Sequence, residues 1–132
     1  MTRILVVEDD LPIRDMITSY LERTGFTVLT ATDGIQALLM VQRMQPDLIL
    51  MDMGLPKLNG WQTTQRLRAR EETRHIPIIA LTAYALETDR QRALSVGCDA
   101  FEAKPIDFLN LIATMNRLLA KHAHSAQPGP VG

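Results

Sequence analysis

Five short apolar runs divide the chain, and three of them, Ile4–Val7, Leu48–Met51 and Ile76–Leu81, carry no polar residue at all. A strand with one wet face alternates apolar and polar side chains. An unbroken run belongs to a strand covered on both faces, as in a parallel sheet sandwiched between helices. The other two runs are Phe26–Ala31 and the weaker Ala100–Ala103. Between them lie amphipathic stretches near 12–24, 34–45, 59–71, 86–96 and 106–121. In the first, Ile13, Met16, Ile17, Tyr20 and Leu21 recur at one helical face; Phe108, Leu111, Ile112, Met115, Leu118 and Leu119 do the same in the last. Gly25 and Gly97 stand where helices end in a left-handed cap, and Asp33 stands where one begins. Strict β–α alternation with right-handed crossovers predicts a doubly wound (βα)5 three-layer α/β sandwich.

A chain of 132 residues is about one domain long. The net charge of −1 gives no general attraction to nucleic acid or anionic lipid. A single cysteine, Cys98, excludes an internal disulfide and fits a reducing compartment. No apolar run reaches the ~18 residues that a membrane span needs, so the expectation is a cytoplasmic domain over 1–121. The segment 122–132, with Pro128, Gly129 and Pro130 and no periodicity, is expected to be a disordered tail.

In open parallel sheets, ligands bind beyond the carboxyl ends of the strands. The runs are followed there by Glu8, Asp9 and Asp10, by Asp52, by Thr82 and Ala83, and by Lys104. In the flavodoxin-like strand order 2-1-3-4-5, ends 1, 3, 4 and 5 are consecutive neighbours, so these groups crowd together. Carboxylates a few ångströms apart repel unless a cation lies between them, and a hard, oxygen-ligated divalent ion meets that need. Lys104 can neutralise an incoming phosphoryl group, and the Thr82 hydroxyl can hydrogen-bond one. Each residue alone has an ordinary role: Asp10 as a helix cap, Asp52 in a turn, Thr82 in the structure, Lys104 in solvent. Their coincidence at adjacent strand ends is what points to chemistry.

These segments resemble the receiver domain of two-component response regulators. The likeness rests on Ile4–Asp10, on Pro46–Met53 with Leu55, Pro56 and Gly60, on Pro77–Ala83, and on Gly97–Phe101 leading to Lys104-Pro105. It covers about residues 2–121. The resemblance implies a protein that accepts a phosphoryl group on Asp52 from a histidine kinase or histidine phosphotransfer protein. It implies Mg2+ (or Mn2+) held by Asp9, by Glu8 acting mainly through water, by Asp52 and by a backbone carbonyl at Met53 or, as the family pattern favours, Gly54. It further implies that Lys104, Thr82 and Ala83 surround the phosphoryl group, that Thr82 and Phe101 form the switch, and that Gly54 and Tyr84 tune water access. Neither of the last two can readily orient a water, so a phosphoryl lifetime of minutes or longer is expected. Such a protein is not an enzyme beyond self-catalysed acceptance and slow loss of the group. Its output is then contact with a downstream protein target, not DNA or membrane, and dimerisation is left open. The Lys104-Pro105 bond is a candidate cis peptide.

A receiver cut from a hybrid histidine kinase would read the same way. A Mg2+-dependent phosphohydrolase using Asp52 would want a second acid at position 54, where Gly stands, and a flavodoxin-like mononucleotide binder would want a phosphate loop after Val7. In the second helix the core stripe needs only Ala37, Leu38, Val41 and Met44, leaving Ile35, Leu39 and Met40 surplus. Arg66, Arg68, Arg70 and Arg74 form a basic patch without aromatics and read as a solvated face. His75, His122 and His124 are expected in loop or tail.

Overall fold

The computed structural model describes residues 1–83 and 86–126, with side chains through His122. The elements are β1 (Arg3–Val7), α1 (Leu11–Thr24), β2 (Thr27–Ala31), α2 (Gly34–Met44), β3 (Leu48–Asp52), α3 (Gly60–Ala69), β4 (Ile78–Thr82), α4 (Glu87–Ser95), β5 (Ala100–Ala103) and α5 (Phe108–Ala126). All strand pairings are parallel, in the order β2-β1-β3-β4-β5. The expected three-layer α/β sandwich is therefore the fold. No described helix is long and apolar enough to cross a membrane.

Unbroken apolar runs become the three central strands because each face of the sheet has its own core. On one face Leu5, Val7, Ile49, Met51, Ile78 and Ala80 pack with Ala37, Val41, Leu67 and Ala93 of α2, α3 and α4. On the other, Ile4, Val6, Leu48, Leu50, Ile79 and Leu81 pack with Ile17, Leu21, Leu111, Met115 and Leu118 of α1 and α5. Alternate side chains of one strand thus enter different apolar layers.

The caps follow the sequence. Asp10 Oδ1 accepts from the Ile13 N–H at 3.0 Å and starts α1; Asp33 Oδ1 accepts from the Gln36 N–H at 2.8 Å and starts α2. Gly25 and Gly97 have φ of 106° and 111°, the left-handed region that ends a helix.

Several boundaries differ for physical reasons. β4 begins at Ile78 rather than Ile76, because Pro77 has no N–H for the ladder and the Ile78 N–H is taken by Asp99 Oδ2 at 2.9 Å. Helix α5 continues through Ala126, five residues into the segment 122–132 expected as tail. No helix breaker occurs before Pro128, and His122 Nδ1 lies 3.0 Å from the Leu118 carbonyl. His124 and 127–132 fall outside the described side chains and residues respectively. Met16 is half exposed although it shares the apolar period of α1, and Met40 packs against the core instead of standing surplus; Ile35 and Leu39 are exposed.

Arg68 is not part of a solvated basic face. Its guanidinium donates to the carbonyls of Gly97, Arg74 and Ile76 at 2.8, 3.0 and 2.7 Å and to Asp99 Oδ2 at 2.8 Å. It therefore ties α3 to the turns before β4 and β5.

Candidate functional site

The register of the central strands brings the chemistry-bearing residues to one edge. Val7 pairs with Met51, so Glu8 and Asp52 leave the sheet side by side. Asp52 pairs with Leu81 and Thr82 with Ala103, so Thr82 and Lys104 follow one step beyond on the next two strands. The Lys104 N–H donates to the Thr82 carbonyl at 2.8 Å, which extends the ladder up to the lysine.

One carboxylate oxygen each from Glu8, Asp9 and Asp52 lies within 4.8 Å of the others. Glu8 and Asp52 are buried and Asp9 is exposed, giving a cleft with two fixed acids and one at its mouth. Lys104 Nζ lies 2.5 Å from Glu8 Oε1 and 3.4 Å from Asp52 Oδ1. The other Glu8 oxygen accepts from the Asp10 N–H at 3.3 Å, and Arg14 Nη1 donates to the Glu8 carbonyl at 2.9 Å. Asp52 Oδ1 accepts from the Gly54 N–H at 3.2 Å.

Burial, followed by the neighbouring Asp52, pushes the Glu8 carboxyl up to about 7 in spite of Lys104. Burial works against the charge of Lys104, but its bonds to Glu8 and Asp52 outweigh that and raise its affinity for the proton. Burial thus dominates at Glu8, whereas at Lys104 the two neighbouring acids dominate. An all-oxygen set of three carboxylates without histidine or cysteine suits a hard divalent ion, and Mg2+ fits it.

The loop after Asp52 is shaped by Gly60. A Cβ there would lie 2.4 Å from the Asp52 carbonyl oxygen and 2.6 Å from Met53 Cα, so only glycine lets α3 begin against the end of β3. The Gly60 N–H donates to the Met53 carbonyl at 3.2 Å, which engages that oxygen within the loop. Gly54 is exposed, and a Cβ added to it would meet only Asp52 Oδ1 at 3.8 Å.

Of the remaining candidates, Thr82 is buried, Ala83 is exposed just after β4, and Phe101 is partly buried against the core on the α3–α4 side. Tyr84 lies outside the described residues. Asp10 caps α1, and the Lys104-Pro105 peptide is cis. Sequence reasoning missed Glu102, a buried acid in β5 bonded to Asn110 of α5 at 2.9 Å. Its signal was present: a carboxylate in the middle of an otherwise apolar four-residue strand.

The model of the response regulator receiver domain matches residues 4–116. The polar-differentiation response regulator DivK of Brucella abortus is 36% identical over 116 residues, covering 88% of this chain and 94% of its own. The DNA-binding dual master transcriptional regulator RpaA of Synechocystis is 36% identical over 140 residues; the match takes in 99% of this chain but only 58% of that longer protein. The receiver domain of the sensor histidine kinase PA1611 of Pseudomonas aeruginosa, solved with a magnesium ion in its active-site cleft, superposes with a TM-score of 0.84. It is 39% identical, with 90% of this chain and 98% of that one covered. With a family match across most of the chain, the sheet order 2-1-3-4-5 and the acidic cleft at its carboxyl edge, the chain belongs to the response regulator receiver domains of two-component signalling.

Proposed function

We propose that Asp52 is the phosphoacceptor, and that the chain takes its phosphoryl group from a histidine kinase or histidine phosphotransfer protein in the cytoplasm. The observation that carries this reading is the position of Asp52, buried between Glu8, Asp9 and the ammonium of Lys104. An Asp52 oxygen attacks phosphorus as the phosphorus–nitrogen bond of the donor phosphohistidine breaks. The new bond is an acyl phosphate, and the imidazole leaves with the electron pair and takes up a proton. Charge spreads over the equatorial oxygens in the transition state, so the reaction depends on positioning and on positive charge held in place. Lys104 provides that charge from the protein, while Thr82 and the backbone beside Ala83 face the same oxygens. Asp9, Asp52, the Gly54 carbonyl and, through water, Glu8 would hold Mg2+, with Mn2+ as a substitute. When bound, the metal supplies further neutralisation of the phosphoryl oxygens.

Phosphorylation adds charge and acceptor oxygens at Asp52. Thr82 drawn toward them leaves room for Phe101 to turn inward, biasing the face of α4, β5 and α5 toward a protein target. Phe101 has no hydroxyl, so its inward state rests on packing alone. A second setting is favoured by one observation: the likeness to the PA1611 receiver, which is part of a sensor kinase. The same acceptor chemistry would then serve an internal relay.

Intact mass after incubation with Mg2+ and acetyl phosphate tests the proposal. Wild type is expected to gain one phosphoryl group; Asp52→Asn, or wild type without Mg2+, is expected to gain none. An adduct of equal yield on Asp52→Asn would remove Asp52 from the role.

A further inference from the structure

The buried acid of β5 has no part in the cleft just described. Glu102 pairs in register with Leu81, whose side chain lies in the α1–α5 core, so the carboxylate is directed into that same apolar layer. Burial makes a carboxylate costly unless it is held by donors. Glu102 Oε2 accepts from Asn110 Nδ2 at 2.9 Å, and the backbone N–H of Asp107 favours its charged form. Asp107 is in turn the cap of α5: its Oδ1 accepts from the Asn110 N–H at 3.2 Å and its carbonyl from the Leu111 N–H at 2.9 Å.

These bonds close a short loop. Between Glu102 and Asp107 lie Ala103, Lys104, Pro105 and Ile106, and Ile106 packs into the α1–α5 core. On one side the Lys104 backbone is fixed to β4 through the Thr82 carbonyl. On the other, the first turn of α5 is clamped back onto β5 by Glu102. An apolar residue would fill the same space without the cost of burying a charge, and such replacements are often neutral or stabilising. What the acid adds is a directed hydrogen bond to the first turn of α5, which an apolar side chain of the same size could not make.

We propose that Glu102 is a positioning residue for phosphoryl acceptance: by clamping Asn110 and the cap of α5 onto β5, it sets where Lys104 Nζ stands relative to Asp52. The proposal rests on the reading of Asp52 as acceptor and Lys104 as its cationic partner. Lys104 also engages the carboxylates of Glu8 and Asp52, two of the acids that would hold a metal, so loosening the lysine affects metal and phosphoryl group oppositely. Phosphoryl transfer slows, while the metal meets less competition.

The test uses the full chain as wild type, Glu102→Leu, Glu102→Gln and Asn110→Ala. Phosphorylation by acetyl phosphate is followed by intact mass, Mg2+ binding by calorimetry without phosphodonor, and stability by thermal melting. Glu102→Leu is expected to phosphorylate on the order of ten-fold more slowly, as a misplaced charge costs transition-state stabilisation. Its Mg2+ affinity should be equal or tighter and its melting temperature no lower. Glu102→Gln keeps an acceptor for Asn110 and should stay within roughly two-fold of wild type. Asn110→Ala, at an exposed position, should slow the reaction in the same direction and decides the matter if Glu102→Leu does not fold. Wild-type rates in Glu102→Leu and Asn110→Ala overturn the proposal. So does a slowed reaction accompanied by weaker Mg2+ binding and a lower melting temperature, which is general damage, or a Glu102→Gln variant as slow as Glu102→Leu. Absence of any adduct on wild type would instead bring down the acceptor reading itself.

Discussion

At Glu8, a carboxylate is buried at the carboxyl edge of the sheet. Its folded pKa of about 7 stands above the ordinary 4.5, so between those values the native state keeps a proton that the unfolded chain has released. Stability of the metal-free protein should therefore fall as pH rises through that window, the contribution of Glu8 being most favourable at the acid end. Mg2+ held by the acids of the cleft would supply positive charge and would bind best to their ionised forms. Melting curves with Mg2+ and with chelator should consequently separate more at pH 8 than at pH 5.5, and equal separations would contradict this account. Gly54 offers a second residue-level prediction. The space beside it is open apart from Asp52 Oδ1, so Gly54→Asn should fold normally and place an amide where it can orient water toward the acyl phosphate. A shorter phosphoryl lifetime in that variant, read as decay of the adduct mass, is the expected outcome. Asp52, Asp9, Glu8 and Lys104 were legible beforehand because strand ends in a parallel sheet are where chemistry collects. Glu102 stood out as an acid in an apolar strand, but its partner Asn110, and the Arg68 partners Gly97 and Asp99 about thirty residues away, are met only after folding.

Among the elements, the β3–α3 connection is the most demanding. Gly60 allows two backbones to touch, and a methyl group there would overlap the Asp52 carbonyl oxygen. Gly60→Ala is expected to cost about 2 kcal/mol, as overpacking without room to relax generally does. It should lower the urea midpoint at unchanged slope, and, with Asp52 as the proposed acceptor, phosphorylation should slow because the Asp52 backbone moves. The strands themselves were readable from three unbroken apolar runs, and Ala100–Ala103 matched its weak signal residue for residue. Helix faces were less so. Met16 obeys the 3.6-residue period of α1 yet lies at the edge of its stripe, half exposed, since period alone does not say how wide the covering sheet is. The end of β4 against Asp99 could not be foreseen either: a side-chain carboxylate occupies the N–H that would have continued the ladder.

For the molecule as a whole, the covering layers are unequal. α4 buries only Ala93, its N-cap Leu86 offers no side-chain hydrogen bond to the first turn, and Leu86 and Leu94 are exposed, while Arg92 reaches over the Trp61 ring of α3 at 4.2 Å. On the opposite face α1 and α5 are locked together, with Tyr20 stacked on Phe108 at 4.3 Å. Amide hydrogen exchange should thus be fastest, among the described helices, in α4, because local opening follows the amount of apolar surface that must be exposed. Protection in α4 equal to that in α5 would refute this ordering. A parallel sheet also gives the domain two unlike poles. Every reactive group described above belongs to one pole, while the turns from helix to strand, including the exposed Glu71 and Glu72, belong to the other. A reporter protein spliced between those two glutamates would travel with the domain while leaving its chemistry untouched, so the far pole is the natural handle by which to watch the near one.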